Sequence, residues 1–225
     1  DGTLTDPKEG ITKSVEYALN KFGIQVEHLD LLIPYIGPPL YDSFVQISDL
    51  SEADAHLAVG YYRERYRQTG IFENKVIFGI PQLLQGLKDM GYNMYVATSK
   101  PTVFAEQIIE HYQLGSFFQQ IVGSHLDGTR SRKQEVIEHV LTSNSIPSGQ
   151  ALMIGDRMHD IIGAKACGVK SMGVTFGYGS EDELVGAGAD SIAHGVEDIG
   201  DIISRMNGNM ISNTPGEEKG RSSLV

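Results

Sequence analysis

The sequence predicts an α/β protein built on an open parallel sheet, with an all-helical insertion close to its start. Two observations predict it. From residue 76 onward, helical patterns alternate with short apolar runs, the βαβα rhythm of parallel strands joined by crossover helices. Between residues 7 and 75, helix signals recur without a convincing strand. Together they give a Rossmann-like parallel-sheet core with an inserted all-helical cap domain, the crossovers stacking the strands into one sheet covered on both faces.

Taken in order, Asp6 reads as an N-cap, with Pro7 at the first helical position and Glu9 three residues after the cap. Ile11, Val15, Ala18, Leu19 and Phe22 then form one apolar stripe that Gly23 ends. The turn Ile36-Gly-Pro-Pro-Leu40 precedes a short helix near 41–47, and a longer helix runs from the Ser51 cap to about Gln68. Ile80, Leu83, Leu84 and Leu87 mark the next helix, which Gly91 stops before a buried strand over 92–97. A helix over 101–112, a strand near 121–122, a helix over 133–141 and the apolar run 151–154 follow. The pattern continues with a helix near 160–166, a strand at 171–174, a helix near 181–185 and a weak strand at 191–192. After Met206 the composition turns to Asn, Gly, Ser, Pro and charge. The expected division is therefore a core of residues 1–6 and 76–206, a helical cap of 7–75 and a disordered tail of 207–225.

The bulk properties bound the function. A chain of 225 residues with 40% hydrophobic residues supports a full core and a smaller appendage. A net charge of −11 repels a polyanion, which argues against a nucleic-acid polymer as partner. No apolar run approaches the roughly 18 residues of a membrane span, and no secretory signal opens the chain, so the expected location is cytoplasmic. The single cysteine, Cys167, excludes an internal disulfide framework and argues against a thiolate metal site.

Four short signals fall where the ends of parallel strands would lie, which is where open α/β sheets bind ligands. They are Asp1-Gly-Thr-Leu-Thr5, Thr98-Ser-Lys100, Lys133, and Gly155-Asp-Arg-Met-His-Asp160. Asp156 and Asp160 offer hard oxygen ligands of the kind Mg²⁺ prefers, or else cap a helix. The hydroxyl of Thr98 and the amides after it suit a phosphoryl oxygen, or else Ser99 caps the helix before Pro101. Lys133 opens a helix, where the dipole disfavours a cation, which points either to an anionic partner or to a solvated lysine beside Arg130 and Arg132.

In combination these residues resemble the haloacid dehalogenase-like (HAD) hydrolase superfamily: Asp-Gly-Thr-Leu from its first motif, Thr98 from the second, Lys133 from the third and Gly-Asp-x-x-x-Asp from the fourth. Ile36-Gly-Pro-Pro-Leu40, Ala97-Thr-Ser-Lys-Pro101, Leu126-Asp-Gly-Thr-Arg130 and Gly177-Tyr-Gly179 look like its phosphoglycolate phosphatase-like branch, which includes 5′-nucleotidases, and the helical insert fits that branch's cap. The resemblance implies a Mg²⁺-dependent phosphatase acting on a small phosphorylated metabolite, phosphoglycolate or a nucleoside 5′-monophosphate, as a monomer or homodimer. It implies Asp1 as general acid/base whose carbonyl binds the metal, Asp156 and Asp160 as metal ligands, and Thr98 and Lys133 as holders of the phosphoryl group. Gly2 and Ser99 would join the phosphate site, and cap residues near Pro38–Phe44 would face the substrate.

The departure lies in the first motif. The family's pattern is Asp-x-Asp-Gly-Thr, whose first aspartate attacks phosphorus to form an aspartyl-phosphate. This sequence begins at the second. The expectation is thus a sheet lacking its first, central strand, with the α-ammonium of Asp1 placing positive charge beside the metal site. Either the sequence is a fragment of an active protein, or the chain is a non-catalytic HAD-fold module that binds a phosphorylated ligand. A phosphoacceptor receiver domain is disfavoured by the helical insert and the late acidic pair. Other chemistries of the superfamily stay open, although Lys13 and Lys21, the cap candidates for a Schiff base, read as solvent-facing.

Overall fold

A computed structural model describes residues 1–211 and 223–225, with the backbone alone for 207–211. Strand β1 (Thr5–Asp6) leads into α1 (Lys8–Asn20), a 3₁₀ segment (Leu29–Tyr35), α2 (Leu40–Ser48) and α3 (Glu52–Gln68), and β2 (Lys75–Val76) closes this part. β1 and β2 pair antiparallel, Thr5 with Val76 and Asp6 with Lys75, so the chain enters and leaves the helical segment side by side. The stripe read from the sequence explains α1: Ile11, Val15, Ala18 and Leu19 are all buried, against Tyr35, Phe44, Tyr62 and Tyr66. Ser51 caps α3 by accepting the Asp54 N–H at 3.1 Å. Asp6, expected as the cap of α1, belongs to β1 instead. The ribbon claims its backbone, and its Oδ1 accepts the N–H of Lys8 at 3.0 Å.

The core continues with α4 (Ile80–Asp89), β3 (Asn93–Pro101), α5 (Thr102–His111), β4 (Phe118–Ser124) and α6 (Lys133–Ser143). It is completed by β5 (Ala151–Gly155), α7 (Met158–Ala166), β6 (Lys170–Val174), α8 (Glu181–Ala187), β7 (Ser191–Ala193), α9 (Val196–Ile211) and β8 (Ser223–Leu224). Six strands form a parallel sheet in the order β4-β3-β8-β5-β6-β7. One face buries Ile80, Leu84 and Leu87 of α4 with Ile199 and Ile203 of α9. The other buries Val136, Ile137 and Val140 of α6 with Ala164 of α7. Strand order reverses direction between β3 and β5, the switch point at whose carboxyl ends such sheets bind ligands.

The place expected for the missing first strand, between β3 and β5, is taken by β8. Within 207–225, expected as a disordered tail, the described residues 207–211 continue α9 and 223–224 form β8. β8 pairs in parallel with both neighbours, Leu224 lying opposite Met94 on one side and Leu152 on the other. Beyond it, Val225 donates to the Leu152 carbonyl at 2.9 Å and accepts the Ile154 N–H at 3.1 Å. Leu224 packs on the α4/α9 face and Val225 on the α6/α7 face, the alternation of a strand. The physical cause is the unpaired N–H and C=O groups that β3 and β5 would otherwise bury. The backbone of α9 is helical to Ile211, and residues 212–222 lie outside those described.

Candidate active site

Asp156 follows the last residue of β5, and Asp160 lies in the first turn of α7. Both are buried, at 4% and 5% exposure. Glycines make room for them. A Cβ on Gly155 would stand 2.3 Å from the Asp160 carboxyl, and one on Gly177 would stand 2.3 Å from Asp156 Cβ. Gly2, at φ +69°, is needed twice over, since a Cβ there would fall 2.0 Å from Asp156 Oδ2 in a backbone region that favours glycine.

Asp156 Oδ1 accepts the Thr3 hydroxyl at 3.1 Å and Oδ2 accepts the Tyr178 N–H at 2.9 Å. Burial first and the Asp160 charge second push its carboxyl above the usual carboxylate range, against smaller opposing effects of the Asp1 amino group, Tyr178 and Thr3. Asp160 Oδ2 accepts the Arg157 N–H at 3.0 Å, so the helix-capping reading is also true of it. Its Oδ1 pairs with Lys133 Nζ at 2.8 Å, and Lys133 donates to the Ala97 carbonyl at 3.0 Å. Lys133 therefore has the anionic partner that its place at a helix start suggested.

Thr98 lies on β3 where the ladder becomes irregular between Ala97 and Pro101. Its Oγ1 accepts the Lys100 N–H at 3.1 Å, leaving the hydroxyl proton to donate. The Ser99 carbonyl accepts the Ser124 hydroxyl at 2.9 Å. Asp1, Thr98, Lys133, Asp156 and Asp160 line one cavity of about 140 Å³, which runs down to Leu224 and Val225. A second, of about 440 Å³, lies between cap and core and shares Asp1, Ser99 and Lys100 with the first. Pro38 to Asp42 line it as expected, but Ser43 and Phe44 do not. They are buried inside the cap, Phe44 edge-on to Tyr35 at 5.3 Å.

Three residues here stand in motifs quoted from the sequence but were given no role there. Lys100 Nζ lies 2.6 Å from Asp1 Oδ1 and 2.7 Å from the Tyr66 hydroxyl, and burial pulls it down to about 8. Its neighbour Thr98 drew the attention, while its own partner is 99 residues away. Arg157 pairs with Glu183 at 2.9 Å and donates to the cap carbonyl of Ile36 at 2.7 Å. Tyr178 reaches Asp156 with its backbone and Asp6 with its hydroxyl, a role that only its flanking glycines hinted at. The α-amino group of Asp1 is pulled down to about 5, mainly by burial and then by the Lys100 cation.

Among the described residues, no group of three His, Cys, Asp or Glu side chains is gathered as a metal cage. The donor set nonetheless fits Mg²⁺. That ion is held by one or two carboxylates plus water and phosphate oxygens, and Asp156 is a buried carboxylate raised by a second one beside it. No helix among the described residues is long and apolar enough to cross a membrane.

A buried carboxylate pair, a lysine on it and a threonine thus meet at the switch point of the parallel sheet. The family model described as haloacid dehalogenase-like hydrolase matches residues 1–174, and the chain belongs to that family. A 5′-nucleotidase of Pseudomonas aeruginosa is 53% identical over 184 residues, which cover 82% of this chain and 83% of that protein. Tyrosine-protein kinase PtkA of Mycobacterium tuberculosis is 35% identical over 194 residues, 86% of this chain and 66% of that protein. The crystal structure of a predicted phosphatase from Clostridium acetobutylicum superposes with a TM-score of 0.90 at 51% identity, covering 91% of this chain and 95% of that one.

Proposed function

We propose that the site serves a Mg²⁺-dependent phosphatase of a small phosphate monoester, phosphoglycolate or a nucleoside 5′-monophosphate, in the cytoplasm, with residues 1–6 and 76–206 as core and 7–75 as cap. The observation that carries the reading is the convergence of Asp1, Thr98, Lys133, Asp156 and Asp160 on one cavity from four separate stretches of chain. Asp156 and Asp160 with the Asp1 carbonyl would hold Mg²⁺, which when bound neutralises phosphoryl charge. Lys133 and the Thr98 hydroxyl hold the phosphoryl oxygens, already fixed in place before substrate arrives. The Ser99 backbone lines the same cavity, whereas Gly2 does not and its N–H is taken by the Thr5 carbonyl at 2.7 Å. The Asp1 carboxyl gives its proton to the leaving oxygen and takes one from the attacking water, and Lys100 at 2.6 Å holds it in position.

The attacking carboxylate that the family resemblance calls for would stand two residues before Asp1, outside this sequence. The phosphatase reading thus applies to a chain that carries it, forming and hydrolysing an aspartyl-phosphate. A second reading keeps the same cavity for a phosphorylated ligand that is bound without turnover. The test is Mg²⁺-dependent hydrolysis of an aryl phosphate by this chain and by the chain extended with a strand ending in Asp-x. Turnover by the extended chain that is lost on Asp156→Ala is the expected result. Turnover by neither, with a phosphorylated ligand still bound, transfers the site to the binding module.

A further inference from the structure

Arg157 stands in the chain between Asp156 and Asp160, yet its guanidinium is committed elsewhere. Its Nε donates to Glu183 Oε1 at 2.9 Å, and its Nη1 donates to the Ile36 carbonyl at 2.7 Å, across 121 residues. The same Glu183 oxygen accepts the Met158 N–H at 2.8 Å, so one carboxylate holds both the arginine and the first residue of α7. Ile36 is 1% exposed, where a carbonyl without a donor would be costly. Gly37 follows at φ +109°, and a Cβ there would stand 3.1 Å from Arg157 Cγ and 3.5 Å from its Nη1. That glycine answers two demands at once, the turn and the close approach of the arginine stem.

The contact falls at the site. Arg157 lines the 140 Å³ cavity that holds Thr98, Lys133, Asp156 and Asp160. Four residues line both cavities: Asp1, Gly37, Ser99 and Lys100. Of these, Gly37 alone comes from the helical segment between β1 and β2. A second arginine, Arg63 of α3, also bridges to a carbonyl, that of Leu126 at 2.7 Å, but this bond is exposed and Arg63 lines the larger cavity.

We infer that Arg157 is a positioning residue. It ties the Ile36–Pro39 turn to the loop that bears the two carboxylates, and the turn so held completes the wall behind which a bound phosphate is retained. The inference rests on the phosphatase reading for what the wall encloses, whereas the tie itself needs no ligand. Lysine cannot take the place of Arg157, because a single ammonium lacks the fork that reaches Glu183 and Ile36 together.

The test has two arms on this chain: hydrogen exchange without ligand over residues 36–44, with α6 for comparison, and phosphorus NMR of inorganic phosphate binding in Mg²⁺. A hydrogen bond from a charged donor contributes enough to protect against local opening roughly tenfold to a hundredfold. Arg157→Ala is expected to speed exchange over 36–44 at least about tenfold and to leave α6 unchanged. It should also speed phosphate release at least about fivefold, with the association rate little altered. Arg157→Lys should lose most of the protection although it keeps the charge. Glu183→Gln keeps an oxygen for both N–H groups and should stay within about threefold of the parent in both arms. Exchange over 36–44 that Arg157→Ala leaves within about twofold, or that Arg63→Ala raises as much, overturns the tie. So does a rise that spreads to α6, which reads as general unfolding. Faster exchange with unchanged phosphate release overturns the positioning role. Phosphate that fails to bind the parent removes the phosphatase reading and the retention with it, while the exchange arm still decides the tie.

Discussion

Asp156 pays in stability for its place in the site, and Asp156→Asn should expose the cost. Burial and the neighbouring Asp160 raise its carboxyl above the ordinary value of 3.8. The native protein then binds that proton more tightly than the unfolded chain. Stability therefore falls as pH rises through the interval between the unfolded and folded values, and the full penalty remains at neutral pH. Asparagine keeps both contacts, its oxygen accepting the Tyr178 N–H and its amide donating to Thr3 Oγ1. In metal-free buffer at neutral pH, the variant should be more stable than the parent and melt at a higher temperature. The advantage should shrink as the pH falls and the parent's Asp156 takes up its proton. Magnesium reverses the order: at about 100 times its dissociation constant it adds about 2.7 kcal/mol to the parent and little to the variant. Urea unfolding at two pH values, with chelator and with Mg²⁺, reads all of this. A variant less stable than the parent in chelator at neutral pH, or a difference that does not change with pH, refutes the argument.

Two further perturbations follow from the same geometry. Lys133→Met keeps the apolar stem but leaves Asp160 buried without its cation, and should cost about 3–5 kcal/mol at neutral pH in urea unfolding. An unchanged midpoint would mean that water, not Lys133, holds that charge. Leu224→Ala empties a buried position between Met94 and Leu152 and should cost about 2–5 kcal/mol. A loss below about 1 kcal/mol would show that β8 does not complete the sheet in solution.

The sequence made the architecture legible wherever a period or a motif was long enough to register. The stripe of α1 and the apolar run before Gly155 both carried their elements, and the acidic pair after that run marked the site. β8 was invisible for a physical reason. A two-residue strand has no period, and Ser-Leu-Val pairs only because two longer strands leave their edges facing it. Lys100 and Arg157 were hidden differently. Their partners, Asp1 and the Ile36 carbonyl, lie 99 and 121 residues away, and only folding brings them together.

The ribbon of Thr5–Asp6 against Lys75–Val76 has a consequence for how this molecule can change. It sets the two ends of the helical segment about 5 Å apart, the separation that a hairpin turn of about two to five residues bridges. Everything between them is in effect a cassette plugged into a finished seam. Lengthening such a loop costs closure entropy only logarithmically, so the seam tolerates a large insert almost as readily as a small one. Exchanging the cassette at Asp6 and Lys75 would give the same chemical machinery a different gatekeeper, without rethreading a single strand of the sheet.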